Sequence, residues 1–211
     1  MRITSRTMKN SLRMLPLVGL LAAPVAQAAY INVALGKPVY VVAGATSGAS
    51  LATLTDGLFV AKNTQWNNAS DVFWNGTGST IEIDLGADYA IVGAIIQGDV
   101  NDVYRLEYST SAGGPWSTAW DTPNWWNWNP NPGVGMVTRP NPDDNTQMQS
   151  LPEFTARYLR VSAPFDTSGL GDTDYALAEV QVFTVPEPSS FAVAVPGMFA
   201  LAFCRRRRRF C

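Results

Sequence analysis

Apolar and polar residues alternate with a period of two in one short run after another, and this pattern most limits what the chain can become. In STIEIDLG (residues 79–86), Ile81, Ile83 and Leu85 alternate with Thr80, Glu82 and Asp84, so an extended backbone has one apolar and one wet face. YRLEY (104–108) and YLRVS (158–162) alternate in the same way. KPVYVVAG (37–44), YAIVGAIIQG (89–98), VYRLEYST (103–110), ARYLRVSA (156–163) and LAEVQVFT (177–184) complete the clear runs, and Gly, Pro, Asn or Asp interrupt the chain between them. No stretch of residues 29–184 carries a 3.6-residue apolar period with helix caps. Short strands with one apolar face each must bury that face against a second sheet, so the pattern predicts an all-β sandwich.

The two ends of the chain have a different character. Arg2, Arg6, Lys9 and Arg13 precede the apolar stretch MLPLVGLLAAPVA and the small-residue site Ala26-Gln27-Ala28, which together read as a secretory signal peptide over residues 1–28, removed by signal peptidase. Residues 29–184 then suffice for one domain. This region has 6 basic against 16 acidic residues, a net charge of −10 that repels phosphate backbones and argues against nucleic acid as a partner. Both cysteines, Cys204 and Cys211, lie outside it, so it holds no internal disulfide and its stability must come from packing or a bound ion. The chain has no histidine, which removes Ser-His-Asp and Cys-His catalysis and His-ligated metal sites.

NVALGKPV (32–39), LTDG (54–57) followed by Trp66, IEIDLGADYAIVGAIIQ (81–97), YRLEYSTSAGGPWST (104–118), ARYLRVSA and the closing ALAEVQVF (176–183) occur in an order and spacing that resembles the discoidin, or coagulation-factor type C, domain. The resemblance covers nearly all of residues 29–184. It implies the galactose-binding-like jelly-roll β-sandwich, with binding loops gathered at one end and ligands that are typically glycans. It also implies a structural Ca²⁺ held by Asp56, Thr64, the carbonyl of Ala178, and Glu179. Calcium takes about six to eight oxygen ligands, and carboxylate, hydroxyl and carbonyl supply the right chemistry. Nine residues separate Asp56 from Trp66, a longer spacing than is usual in the family. Without an ion, Asp56-Gly57 reads as a plain turn and Glu179 as an exposed strand residue.

Two segments are candidates for ligand contact. The connection at residues 121–152 is rich in Pro and Asn and carries Trp125, Trp126 and Trp128 in PNWWNWNPNPG, where rings can stack on sugar C–H groups while amides bond hydroxyls. The same loop also suits a plug folded back over the end of the sandwich. In QGDVNDVYR (97–105), Asp99, Asn101, Asp102 and Arg105 offer acceptors and one forked donor within a turn. The other reading of that turn is an Asx-rich connection with Arg105 paired to a neighbouring strand carboxylate. Trp66, Trp116 and Trp120 are expected in the core. The carboxylate pairs Asp99–Asp102 and Asp143–Asp144 have no supporting catalytic constellation, so the chain reads as a non-enzyme.

The chain closes with Val185-Pro186-Glu187-Pro188, an apolar segment of residues 191–204, and Arg205, Arg206, Arg207, Arg208 and Arg209. This resembles the PEP-CTERM sorting signal of Gram-negative bacteria. It implies a C-terminal hydrophobic helix held at the inner membrane with its arginines inside, then cleavage by an exosortase and delivery to the cell surface or extracellular matrix; the competing reading is a segment retained as a marginal one-helix anchor. The organisation read from the sequence is a signal peptide (1–28), a discoidin-like β-sandwich (29–184) and a sorting signal (185–211). The function read from it is a surface-sorted module binding exopolysaccharide or another glycan in adhesion or a biofilm matrix. A structural envelope or matrix protein that uses the sandwich for protein contacts, with no sugar site, is the alternative.

Overall fold

The computed structural model describes residues 29–124, 135–165 and 173–186. Residues 1–28, the three tryptophans Trp125, Trp126 and Trp128, and the tail from Glu187 through the arginines Arg205–Arg209 lie outside the described residues. Among the described residues no helix is long and apolar enough to cross a membrane.

Ten strands follow one another along the chain: β1 (Ile31–Asn32), β2 (Val39–Ala43), β3 (Ser47–Gly48), β4 (Val72–Asn75), β5 (Thr80–Asp99), β6 (Arg105–Ser109), β7 (Ser117–Asp121), β8 (Met136–Arg139), β9 (Gln149–Ser162) and β10 (Asp174–Thr184). A 3₁₀ turn, Leu51–Thr55, lies between β3 and β4, and its capping Ser50 accepts the Ala52 N–H. All pairings are antiparallel, in the order β3-β4-β10-β5-β9-β6-β7, with β1 beside β10 and both β2 and β8 beside β5. The sheet curls on itself into a jelly-roll sandwich, the all-β architecture that the alternating pattern predicts.

Two of the runs read separately in the sequence, 79–86 and 89–98, are one 20-residue strand. Gly86 at φ 82° and a register shift between Asp84 and Tyr89 bend β5 without ending it, because a glycine tolerates the left-handed conformation that breaks the ladder locally. Ile81, Ile83 and Leu85 face inward at 0–1 % exposure. They meet Val72 and Trp74 of β4, Leu106 of β6, Leu159 and Val161 of β9, and Leu177, Val180 and Val182 of β10 in one core. Trp74 stacks on Tyr175, with ring centroids 5.9 Å apart.

A second apolar cluster lies on the other face of β10. Met136, Ala176 and Ala178 are covered there by Val60, Trp66 and Phe73. The nine residues between Asp56 and Trp66 make this possible: the Val60 N–H donates to Gln97 Oε1 and its carbonyl accepts from Gln97 Nε2, both at 2.9 Å, so a side chain stands in for a neighbouring strand. The long spacing thus serves to cover the sheet. Trp66 joins this cluster and Trp120 packs on the main core, but Trp116 does neither. Its ring sits 3.9 Å from the Arg160 guanidinium, which is also paired with Glu82 at 3.0 Å on the face of the sheet opposite the core, where the ring and the guanidinium leave Glu82 only 8 % exposed.

Candidate functional site

Glu179 and Asp56 are 123 positions apart in sequence, and the antiparallel sheet brings them together. The turn at Asp56-Gly57 is fixed by Asp56 Oδ1 accepting the Leu58 N–H at 2.8 Å, and the Gly57 N–H reaches Glu179 Oε1 at 3.1 Å. Glu179 is fully buried, with Gln181 Nε2 also donating to Oε1, while Oε2 has no hydrogen-bond partner. Burial lifts the Glu179 carboxyl from 4.5 to about 8, and the nearby Asp56 charge adds to the rise against the two donors. A buried carboxylate oxygen without a partner beside a second carboxylate is costly unless a proton or a cation satisfies it.

The pair therefore suits the Ca²⁺ that the sequence resemblance implies. Ala178, the extra residue at the β10 register shift between Leu177 and Glu179, lines a cleft of about 340 Å³ together with Ser50, Thr53, Asp56, Phe59 and Ser70. Thr64 is committed elsewhere: its hydroxyl donates to the Ala61 carbonyl at 2.7 Å and its carbonyl accepts the Met136 N–H. Among the described residues no group of three or more His, Cys, Asp or Glu side chains gathers. Asp56 and Glu179 would hold the ion with oxygens from the backbone, and a divalent charge there would supply what Oε2 lacks.

The turn at residues 97–105 is built differently from its expected form. Asp99, Asn101 and Asp102 face inward at 1, 0 and 2 % exposure, and Arg105 is locked to Asp121 on β7 by two bonds of 2.7 and 2.8 Å. The four do not form a ligand-facing set. The cause is Arg139, which β8 delivers beside β5 through the pairing of Ile96 with Arg139. Its guanidinium, 0 % exposed, donates to the carbonyls of Gly98 (3.0 Å), Val137 (3.3 Å), Asp99, Asp102 (3.0 Å) and Pro123 (3.3 Å). It lies 5.3 Å from the Tyr104 ring.

Burial pulls the Arg139 guanidinium below its ordinary value, and the neighbouring Asp102 and Asp99 charges counter that pull. The Tyr104 hydroxyl receives the N–H groups of Asp99 and Ala176 and lies 2.7 Å from the Ala176 carbonyl and 3.0 Å from Asp102 Oδ2. Burial, with Asp102 and Asp99 adding to it, pushes its pKa well above the usual phenol value, so it remains a neutral donor. Thr122 closes the cluster, its hydroxyl accepting the Tyr104 N–H and its own N–H reaching the Tyr104 carbonyl, both at 2.8 Å. The outcome is a buried polar hub at the root of the Trp-bearing connection: Thr122 and Pro123 at one side, Gly135 and Met136 at the other, where the Gly135 carbonyl accepts the Val100 N–H.

Nothing in the sequence singled out Arg139 or Tyr104. Arg139 stands between Thr138 and Pro140 in a Pro- and Asn-rich stretch with no periodic pattern, and only the topology shows that it meets residues 40 positions earlier.

Asp71 was also not anticipated. It is fully buried just before β4, with Ser70 donating to Oδ1 at 3.2 Å and no partner for Oδ2. Burial raises its pKa from 3.8 to about 6, against the Ser70 bond. A group with a raised folded-state value contributes its full stability below the unfolded value of 3.8, and that contribution is lost as pH rises through about 6. Asp71→Asn is therefore expected to gain about 1–3 kcal/mol at neutral pH in urea unfolding and nothing at pH 4. An equal difference at both pH values would show that burial of the charge is not the cause.

No protein-family model matches the chain, and no curated protein is similar to it in sequence. Several solved structures are similar to it. The chain is 16 % identical to a truncated AlyQ with CBM32 and alginate lyase domains, with 77 % of this chain and 35 % of that one covered and a TM-score of 0.48. It is 16 % identical to CpGH89CBM32-4, produced by Clostridium perfringens and solved in complex with GlcNAc-α-1,4-galactose, covering 75 % and 97 % at a TM-score of 0.46. The lectin domain of lectinolysin, complexed with Lewis B antigen, is 18 % identical over 74 % of this chain and 98 % of that one, at 0.45. The chain spans about a third of the AlyQ protein and 28 % of another similar structure, SpGH29. Likeness at this level assigns neither ligand nor residue role.

Proposed function

We propose that residues 29–184 form an exported, non-catalytic glycan-binding module, delivered to the cell surface or extracellular matrix after signal peptidase and an exosortase remove the two ends of the chain. The observation that carries this reading is the hub around Arg139. It commits a buried guanidinium and two buried aspartates to fixing both roots of a connection that bears three tryptophans among asparagines and prolines. Holding the roots of a loop rigid lowers the entropy lost when its side chains grip a ligand. Trp125, Trp126 and Trp128 supply the stacking faces, and Asp56 and Glu179 hold a structural Ca²⁺.

A screen of the mature domain against polysaccharides, with and without chelator, tests this. Binding to an exopolysaccharide-type glycan is expected. The double variant Trp125→Ala, Trp126→Ala is expected to weaken it at least about tenfold, a loss of ~1.4 kcal/mol or more for two stacking rings. Binding to no glycan, or binding indifferent to both rings, would favour a structural envelope protein that uses the sandwich for protein contacts.

A further inference from the structure

Among the described residues eight large apolar side chains are exposed; Tyr40 and Val42 are on β2 and Phe165 lies beside Arg105, and the other five are grouped. Tyr30 (53 %), Ile31 (49 %), Leu35 (56 %), Leu58 (70 %) and Val185 (48 %) lie on segments that meet along one shoulder of the sandwich. Ile31 pairs with Thr184, so Tyr30 and Val185 flank that pair at the end of β10. Leu35 sits on a turn closed by the Lys37 N–H to the Ala34 carbonyl, and that turn is tied to the next by the Gly36 N–H to the Thr55 carbonyl. The Leu35 side chain packs against Gly57, beside Leu58, whose backbone N–H donates to Asp56 Oδ1. These are fixed, hydrogen-bonded turns presenting aliphatic side chains to the outside. Residues 30–36, 57–61 and 182–186 contain no charged residue, in a domain with 6 basic and 16 acidic ones.

We propose that this shoulder seats on the lipid bilayer while the C-terminal segment is inserted in it. The proposal rests on the reading of that segment as membrane-held. Only five residues, 186–190, separate Val185 from the apolar run that starts at Phe191, and even fully extended they span at most about 18 Å. The end of β10 is thus kept against the membrane surface. A domain of net charge −10 is repelled by anionic lipid over most of its surface, and a largely apolar face, with Asp56 as the exposed charge at its edge, is the one it can bring close. Tyrosine at the headgroup level and aliphatic side chains just below it are the chemistry of interfacial attachment. The polar hub meets β10 at Ala176, eight residues before Thr184, or about 26 Å along the strand.

The test uses the full chain with Cys204 and Cys211 changed to Ser and one cysteine introduced at Ile31, Leu35, Leu58 or the exposed Ser111, each carrying an environment-sensitive fluorophore. The labelled chains are reconstituted into phosphatidylethanolamine–phosphatidylglycerol vesicles containing headgroup-nitroxide lipid. Several-fold stronger quenching at positions 35 and 58 than at 111 is expected, together with loss of quenching at a label on position 31 in the Leu35→Glu, Leu58→Glu variant, which still floats with the vesicles. Flotation with equal quenching at all positions overturns the seating alone. Failure of the parent to float overturns the membrane-held tail and the seating with it. Concentration-dependent self-quenching at position 58 without lipid would assign the face to a second copy of the chain and likewise overturn the proposal.

Discussion

Arg139→Met is expected to lower the unfolding free energy by about 3–5 kcal/mol, the cost typical of removing one partner from a buried charge cluster. Methionine has similar length and suits the apolar surroundings of the Tyr104 ring, so the loss is not a cavity effect. It arises because Asp99 and Asp102, at 1 and 2 % exposure, keep their burial and lose their cation, while five carbonyls lose a donor. Arg139→Lys restores the charge but only three donors in place of a planar fork, and is expected to recover part of the loss. Urea unfolding followed by tryptophan fluorescence measures both. A Met variant within about 1 kcal/mol of the parent would mean that the carbonyls and aspartates are satisfied by water, and the hub would then not be the anchor described.

Calcium is expected to raise the thermal midpoint most at alkaline pH, and Glu179→Gln to abolish that response. In the ion-free protein the folded state holds the Glu179 proton more tightly than the unfolded chain does. Its contribution is complete below 4.5 and is lost as pH rises through about 8, on the order of a few kcal/mol in all. An ion beside Oε2 reverses this by favouring the carboxylate, and mass action turns its affinity into added stability. In chelator at pH 8 the Gln variant should melt above the parent, since glutamine keeps an acceptor for the Gly57 N–H and carries no charge. Calorimetry across pH 5–9, with calcium or chelator, separates these outcomes. A parent melting curve blind to calcium at every pH would remove the ion from this site.

β2, β5, β6, β10 and the second half of β9 were legible because alternation survives wherever one face of a strand is polar: Ile81, Ile83 and Leu85 against Glu82 and Asp84 is readable without a structure. β4 and β8 were not, since four residues each, buried on both sides or nearly so, show no period. Gly86 looked like the end of a strand and proved to be a bend within one. For the site, the nearness of Asp56 and Glu179 followed from family resemblance and could not come from spacing. The turn at Asp99–Asp102 looked solvated because its charges are close in sequence, whereas the charge that draws them inside arrives on β8. Trp116 was expected in the core as a large ring; the Arg160 guanidinium gives it a partner on the opposite, polar face of the sheet instead. Sequence shows which residues are polar, and topology decides whether their partner is water or another side chain.

β10 is hydrogen-bonded along both of its edges, to β4 and β1 on one side and to β5 on the other. The tail leaves from its last residues, and the hub grips it near its first. A pull between an anchored C-terminus and a ligand held at the opposite end would run along this strand, at right angles to its ladder bonds. Such a load shears many bonds together where a hairpin pulled from one end opens them one at a time. The strand that closes the sandwich is thereby its tension member, and atomic-force stretching should find the domain stiffer along β10 than across it.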